Sequence, residues 1–284
     1  MAIKIVTDST CDLPSELCSD LDITVVPLTV HFGEEGFKDG IELGPEEFYD
    51  RLISADELPK TSQPSVGTFN EYYKNVAKET NEIVSIHISS KLSQTCNTAK
   101  LSAKEMHGPC NIEVIDSMQT SLGLGLVVIA AARAAKDGAT ISEVEEVARK
   151  AARGTKTLCL LDTLEYLAKG GRIGKVQFYL GRSLNPLSVF KVIPIIEILD
   201  GEAHPFDRVR TRRKGIERLV NELKQAANIS LAGVVYSTNP KEADELVQEI
   251  RPLIGNDKLF ASRFGPVLGT YVGPGAIGVT LTHY

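Results

Sequence analysis

The sequence predicts an α/β protein whose first half is built on a parallel sheet and whose second half is α+β. Three observations carry this. Strand-like and helix-like segments alternate up to Gly154, the pattern of a parallel sheet with right-handed crossovers. Three of those strands run straight into short hydroxyl-bearing turns: Thr7-Asp8-Ser9-Thr10, Ser89-Ser90-Lys91-Leu92-Ser93 and Asp116-Ser117. After Thr155 strand hairpins mix with helices, and Asp200-Gly201 is a strong two-residue hairpin signal. The expected division is residues 1–154 and 155–284.

Ile3 to Val6 reads as the first strand, and Pro14, preset for a first helical turn, opens the helix that follows. Ile23 to Val30, ITVVPLTV, reads as a second strand. Phe48 to Ile53 reads as a helix, preceded by Pro45 and two glutamates. Pro59 to Ser65 is a loop braced by prolines, and Thr68 to Glu79 the next helix. Ile83 to Ile88, IVSIHI, has the β-branched enrichment of a buried strand. It turns through SSKLS into a helix that Ser93 is placed to cap.

Asn111 to Ile115 is a strand, and Thr120 to Asp137 a helix apolar on nearly every side, so a buried one. Ile141 to Gly154 is amphipathic helix. Beyond it come a strand at Thr157 to Leu161, a helix at Thr163 to Lys169 stopped by Gly170-Gly171, and strands at Val192 to Leu199 and Ala203 to Arg210. Then follow a helix at Thr211 to Ala227, a strand at Leu231 to Tyr236, a helix at Pro240 to Ile250 and a strand at Lys258 to Phe264. Gly265 to Gly275 reads as a glycine-rich loop before a last strand, Ala276 to Thr282.

With 284 residues, 43% hydrophobic and 24% charged, the chain has the make-up of an ordinary globular protein of one or two domains. A formal net charge of -6 argues against a nucleic-acid partner, whose phosphates select basic faces. Cys11, Cys18, Cys96, Cys110 and Cys159 are dispersed, with no C-x-x-C pair, which suits a reducing compartment. The opening MAIKIVTDST has no signal-peptide apolar region, and Leu122 to Ala132 is too short to span a bilayer. The expectation is a soluble, cytoplasmic protein.

Familiar catalytic patterns fail. His31, His87, His107, His204 and His283 are scattered without metal-ligand spacing, and His87 within its apolar strand reads as a satisfied core residue. Around Gly171-Arg172-Ile173-Gly174-Lys175 a phosphate-binding loop is hinted at, but Lys169 holds the first glycine position and Val176 replaces the Ser/Thr. Gly123-Leu124-Gly125 lacks the third glycine of a dinucleotide fingerprint, and no G-x-S-x-G elbow exists. No cofactor or metal is expected. What remains is a set of neutral donors: Thr61 and Ser62 in the braced loop, and Ser93 at a helix start, where spare N–H groups and the dipole favour a carboxylate or phosphate. Donors without an activated base describe a binding site better than a reaction centre.

The sequence resembles the DegV family, the fatty-acid-binding subunits of bacterial fatty acid kinases, over essentially its whole length. The resemblance is carried by TDST (Thr7 to Thr10), KTSQPS (Lys60 to Ser65), ISSKLSQT (Ile88 to Thr95), IDS (Ile115 to Ser117), LEYLAKGGRIG (Leu164 to Gly174), RVRT (Arg208 to Thr211) and FGPVLGTYVGPGAIGV (Phe264 to Val279). It implies an N-terminal α/β domain of DegV (EDD) type and a C-terminal α+β domain, with a long-chain fatty acid between them. The carboxylate is then expected at Thr61, Ser62, Ser93 and Tyr271, and the tail in an apolar tunnel. A separate kinase subunit would phosphorylate the carboxylate, and the acyl phosphate would feed phospholipid synthesis, with transient membrane-surface contact. Where many members have a histidine before V-G-P-G, this chain has Tyr271, whose hydroxyl donates one hydrogen bond and stays neutral near pH 7. Gln94 replaces a common glycine after the serine. Family basic positions correspond to Arg172 and Arg210, as contacts for phosphate or partner.

Two other readings compete. A hydrolase or transferase would use Ser93 as nucleophile and would need Asp8 or Asp116 to approach it as base. An interaction module would use the basic run Arg208, Arg210, Arg212, Arg213 and Lys214.

Overall fold

The computed structural model describes residues 3–106, 108, 110–176 and 192–284; His107 lies outside them. Strand β1 (Lys4–Asp8) is buried from Ile5 onward and leads into one 3₁₀ turn, Ser9–Cys11. Helix α1 (Ser15–Asp20) returns the chain to β2 (Ile23–Val26), parallel to β1 with Ile5 opposite Ile23. The expected single strand to Val30 is in fact two: β3 (Thr29–Phe32) belongs to a different sheet. Pro27 lies in the break; it has no N–H to give a ladder and suits a strand end.

β3 pairs antiparallel with β4 (Glu35–Lys38) and, beyond α2 (Pro45–Ser54), with β5 (Lys60–Ser62) on its other side. The braced loop is therefore partly strand, with Thr61 opposite Val30 and the prolines just outside the paired residues. Helix α3 (Val66–Val76) is capped by Ser65, whose hydroxyl accepts the Thr68 N–H at 3.0 Å. Then come β6 (Glu82–His87), α4 (Thr95–Glu105) and β7 (Asn111–Asp116). The first sheet has the order β2-β1-β6-β7, every pair parallel, so the turns after β1, β6 and β7 leave by the same edge.

Helix α5 (Ser121–Lys136) is buried without interruption from Ser121 to Ala132. The reason is its position: it touches β1 and β6 of the first sheet and two strands of the second, so no face is left for water. Each fully buried leucine there, such as Leu124 or Leu126, contributes roughly 1.5–3 kcal/mol by leaving water. Gly123 is a packing residue, since a Cβ on it would lie 2.3 Å from Thr157 Oγ1. Helix α6 (Ile141–Gly154) starts with a capping box between Thr140 and Glu143.

β8 (Lys156–Leu160) opens the second sheet and α7 (Glu165–Lys169) follows. The Asp200-Gly201 signal is a hairpin turn between β9 (Ile193–Leu199) and β10 (Glu202–Val209), with φ of 51° and 79° as a type I′ turn requires. The chain continues through α8 (Arg212–Gln225), β11 (Leu231–Tyr236), α9 (Pro240–Ile254) and β12 (Leu259–Arg263). Here the expected glycine-rich loop is a helix, α10 (Pro266–Val272), before β13 (Ile277–Thr282). Pro266 sits in its first turn, and Gly273 ends it at φ 71°, so the flanking glycines mark boundaries rather than a loop. The second sheet runs β10-β9-β8-β13-β11-β12, antiparallel except for β11 with β12. Among the described residues no helix is long and apolar enough to cross a membrane.

Candidate functional site

An apolar cavity lies where the carboxyl edge of the first sheet meets the second sheet, and the turns after β1, β6 and β7 all reach it through Thr10, Ser93 and Thr120. Opposite them stand aliphatic side chains of the second sheet, among them Leu158, Ile196, Ala203 and Val235, and the α10 residues Val267, Leu268 and Tyr271. Its empty space, mouth included, is about 840 Å³. The space is narrow, and its wall is overwhelmingly carbon.

Asp8 organises the turn after β1. Its Oδ1 accepts the Thr10 N–H at 3.1 Å and the Thr10 hydroxyl at 2.5 Å; its Oδ2 accepts the Ile88 N–H at 3.1 Å and lies 3.0 Å from His87 Nδ1. His87 Nε2 is 2.7 Å from the Ser85 hydroxyl, which in turn accepts from Tyr73 at 2.9 Å. Asp8, Ser85 and His87 are all fully buried. The order Ser85–His87–Asp8 has the hydrogen-bond sequence of a hydrolytic triad, yet no substrate can reach the serine; it is a satisfied core network.

Ser93 sits one residue further from helix α4 than an N-cap would. Gln94 holds the cap position, and the Ser93 hydroxyl still accepts the Thr95 N–H at 3.3 Å while lying 2.8 Å from Thr95 Oγ1. Neither proposed base reaches it. Asp8 is occupied as above, and Asp116 accepts the Ser90 and Met118 N–H groups. Ser93 therefore has the environment of a hydrogen-bond donor, not of an activated nucleophile.

Thr61 and Tyr271, 210 positions apart, meet across the cavity lip: their hydroxyl oxygens are 2.5 Å apart. The Arg172 guanidinium lies 5.2 Å from the centre of the Tyr271 ring, and its Nε donates to the Leu92 carbonyl at 3.4 Å. Arg172 so joins the Thr61–Tyr271 pair to the turn that bears Ser93, and it brings a positive charge to a rim of neutral donors. Gly170 makes the ring's position feasible, because a Cβ there would fall 2.5 Å from Tyr271 Cδ1. Gly170→Ala is expected to cost about 1–3 kcal/mol by overpacking, measured by urea unfolding. Most of the cost should be lost in a Tyr271→Ala background, where only the Tyr166 carbonyl, 3.0 Å from the new methyl, still crowds it; an undiminished cost there would show that the ring is not what the methyl strikes.

Of the residues expected at the carboxylate, Ser62 is elsewhere, and Arg210, expected as a contact for phosphate or partner, lies at the surface. Ser62 is exposed and does not line the cavity; alternation along β5 turns it away from Thr61, and its hydroxyl lies 2.9 Å from His31 Nε2. Arg210 is an exposed residue between β10 and α8 and is also outside the cavity lining. Conversely, Thr120 was not singled out by sequence reasoning. Thr120 lines the cavity, and its Oγ1 is buried with no hydrogen-bond partner, which leaves a polar atom unsatisfied at a cost of roughly 1–3 kcal/mol. The available signal was its place directly before an apolar helix and just after the Asp116-Ser117 turn. Among the described residues no group of His, Cys, Asp or Glu is arranged to hold a metal.

A family model described as "Uncharacterised protein, DegV family" matches residues 2–283. The chain belongs to the DegV family. A DegV domain-containing protein of Halalkalibacterium halodurans is 36% identical over 98% of this chain and 97% of its own length. Protein DegV of Bacillus subtilis is 33% identical, with 98% of each chain covered. Among solved structures, a DegV family protein from Thermus thermophilus, described by its fatty acid binding, superposes on this DegV-family chain with a TM-score of 0.89 at 30% identity, covering all of both chains. DegV from Bacillus subtilis, described as a fatty acid binding protein, superposes with a TM-score of 0.87, also at 30% identity over all of both chains.

Proposed function

We propose that this DegV-family chain binds a long-chain fatty acid, with its carboxylate at Thr61, Ser93 and Tyr271 and its tail in the apolar cavity. The observation that carries the reading is the cavity itself: a narrow carbon-lined space reached by hydroxyls from both halves of the chain, with Arg172 at its rim. A chain of about sixteen carbons contributes on the order of 10 kcal/mol gross when its methylenes leave water. The carboxylate cannot be buried alone without a cost of several kcal/mol, so its donors offset desolvation and fix which end points outward. The tail supplies affinity and the hydroxyls supply direction.

On this reading residues 1–154 carry the head-group turns and residues 155–284 most of the tail cavity. The bound acid is presented to a separate kinase subunit, which transfers a phosphoryl group to the carboxylate and makes an acyl phosphate for phospholipid synthesis. Arg172, beside the head group, is suited to the added phosphate, and Arg210 to partner or membrane-surface contact.

Native mass spectrometry of protein purified from cells tests the first step: a co-purifying free fatty acid is expected, and an empty protein that takes up no added fatty acid overturns the reading. Tyr271→Phe should weaken binding by about tenfold, the worth of one hydrogen bond of ~1 kcal/mol or somewhat more to a charged acceptor, measured by isothermal titration. Tyr271→His should give binding that strengthens as pH falls through about 6.5, as imidazolium adds charge beside the carboxylate. Unchanged affinity in Tyr271→Phe would remove that residue from the head-group site.

A further inference from the structure

One end of the apolar cavity backs onto a second, outer cleft, and the chain crosses from one space to the other in three separate segments. After β7, Gln119 lines the cleft and Thr120 the cavity; before and within β8, Thr155 lines the cleft and Thr157 the cavity; in the β9–β10 hairpin, Asp200 lines the cleft and Ala203 the cavity. Among the described residues Ile198 alone lines both. It shares a face of β9 with Ile196, which also lines the cavity, yet Ile196 is buried and Ile198 only partly so. The wall between the two spaces is therefore one side chain thick at Ile198.

The rest of the wall is fastened. Gln119, buried, donates from Nε2 to the Thr155 carbonyl at 3.1 Å and accepts the Thr157 hydroxyl on Oε1 at 3.1 Å, which ties the cleft side to the cavity side. Gly123 closes the space behind that bridge, where a Cβ would lie 3.0 Å from Gln119 Oε1. Ile198 seals its part by carbon alone.

The strand register shows which end this is. Ile198 stands opposite Thr157 at one end of the β8–β9 ladder, and Ile195 opposite Leu160 at the other. Past Leu160 the chain enters α7, which packs on α10, the helix that carries Tyr271. The Thr61–Tyr271 pair thus belongs to the Leu160 end, and the wall lies roughly 10 Å further along the ladder. An acid held by its head at Thr61 and Tyr271 points its tail at Ile198. Beyond Ile198 the surroundings change from carbon to charge, since Asp116, Arg149, Arg153 and Asp200 line the cleft. A methyl end that passed through would gain little.

We infer that Ile198 sets the longest acyl chain the cavity accepts, by stopping the terminal methyl at this wall. The inference rests on the fatty-acid reading above and names the substrate limit of the same site. Ile198→Ala takes away the branched end of the side chain and leaves room for about two further methylenes. Each methylene is worth about fourfold in dissociation constant, so the first acid beyond the original limit should gain about tenfold relative to shorter ones.

The test offers delipidated protein an equimolar mixture of straight-chain saturated acids in one-carbon steps from dodecanoic to docosanoic acid. Native mass spectrometry reads the masses bound. The unaltered chain should show binding that falls sharply above one length, and in Ile198→Ala that limit should move up by about two carbons while shorter acids keep their relative order. The same length profile in a folded Ile198→Ala, or a weakening of all lengths alike, would overturn the inference and leave the fatty-acid reading standing. An unaltered chain that binds none of the acids would remove that reading itself. Should Ile198→Ala fail to fold, the milder Ile198→Val decides: a shift of about one carbon supports the wall, and an unchanged profile overturns it.

Discussion

An Ala203→Phe variant is expected to leave cells without fatty acid and to bind it at least a hundredfold more weakly than the unaltered chain. Ala203 is 2% exposed, lies opposite Ile198 in the β9–β10 hairpin, and both line the cavity. The cavity is so narrow that a phenyl ring has nowhere to stand except in the space assigned to the tail. Displacing about four methylenes removes ~3 kcal/mol, which is more than a hundredfold in dissociation constant. Overpacking itself costs about 1–3 kcal/mol of stability, so far-UV circular dichroism and a cooperative thermal transition must be recorded beside the titration. A folded variant with unchanged affinity would mean that the tail does not run past β10.

The second large effect concerns pH and lies at Asp39. Burial is the main cause of its raised carboxyl, the nearby Asp8 adds to it, and the Ser9 hydroxyl and Val267 N–H pull against it, leaving it at about 7. The charged and titratable groups around it are Asp8, Asp12 and, in the surface cleft that Asp12 and Asp39 border, Glu16, with Arg263 turned toward Ser237 and Tyr49. An acid whose folded value lies above its unfolded value of about 3.9 holds its proton more tightly in the native state. Its contribution to stability is therefore complete below about pH 4, falls as pH rises toward 7, and is gone above. Holding the proton about a thousandfold more tightly in the native state corresponds to ~4 kcal/mol. Asp39→Asn cannot ionise, so its stability relative to the unaltered chain should rise by up to that amount between about pH 4 and about pH 7 and then level off. Urea unfolding of both proteins across that range measures the difference directly. A gap that stays constant with pH would show that Asp39 does not carry this linkage.

The elements whose identity depends on local pattern were legible in the residues. IVSIHI is a buried strand, the Asp200-Gly201 pair is a hairpin turn with both φ values positive, and the apolar helix after Thr120 is buried all round. The shared edge of the three hydroxyl-bearing turns also followed, since parallel strands must end together on one side. The departures are where one residue tips the balance or where pairing is long-range. Pro27 divides ITVVPLTV between two sheets, and the glycines around PVLGTYV bound a helix instead of making a loop. Thr61 became a strand residue because β3 was there to pair with it, and that pairing turned Ser62 outward.

Alternation, turn chemistry and the scarcity of bases near the hydroxyls are properties of neighbours in the chain, and they were enough to define an α/β scaffold suited to holding an acid group. The meeting of Thr61 with Tyr271, the unpartnered hydroxyl of Thr120 and the pairing of Asp12 with Asp39 at Gly265 depend on contacts between residues far apart in sequence. Such contacts arise only when two sheets close on a common helix, because the free energy of a buried polar atom is set by what packs around it.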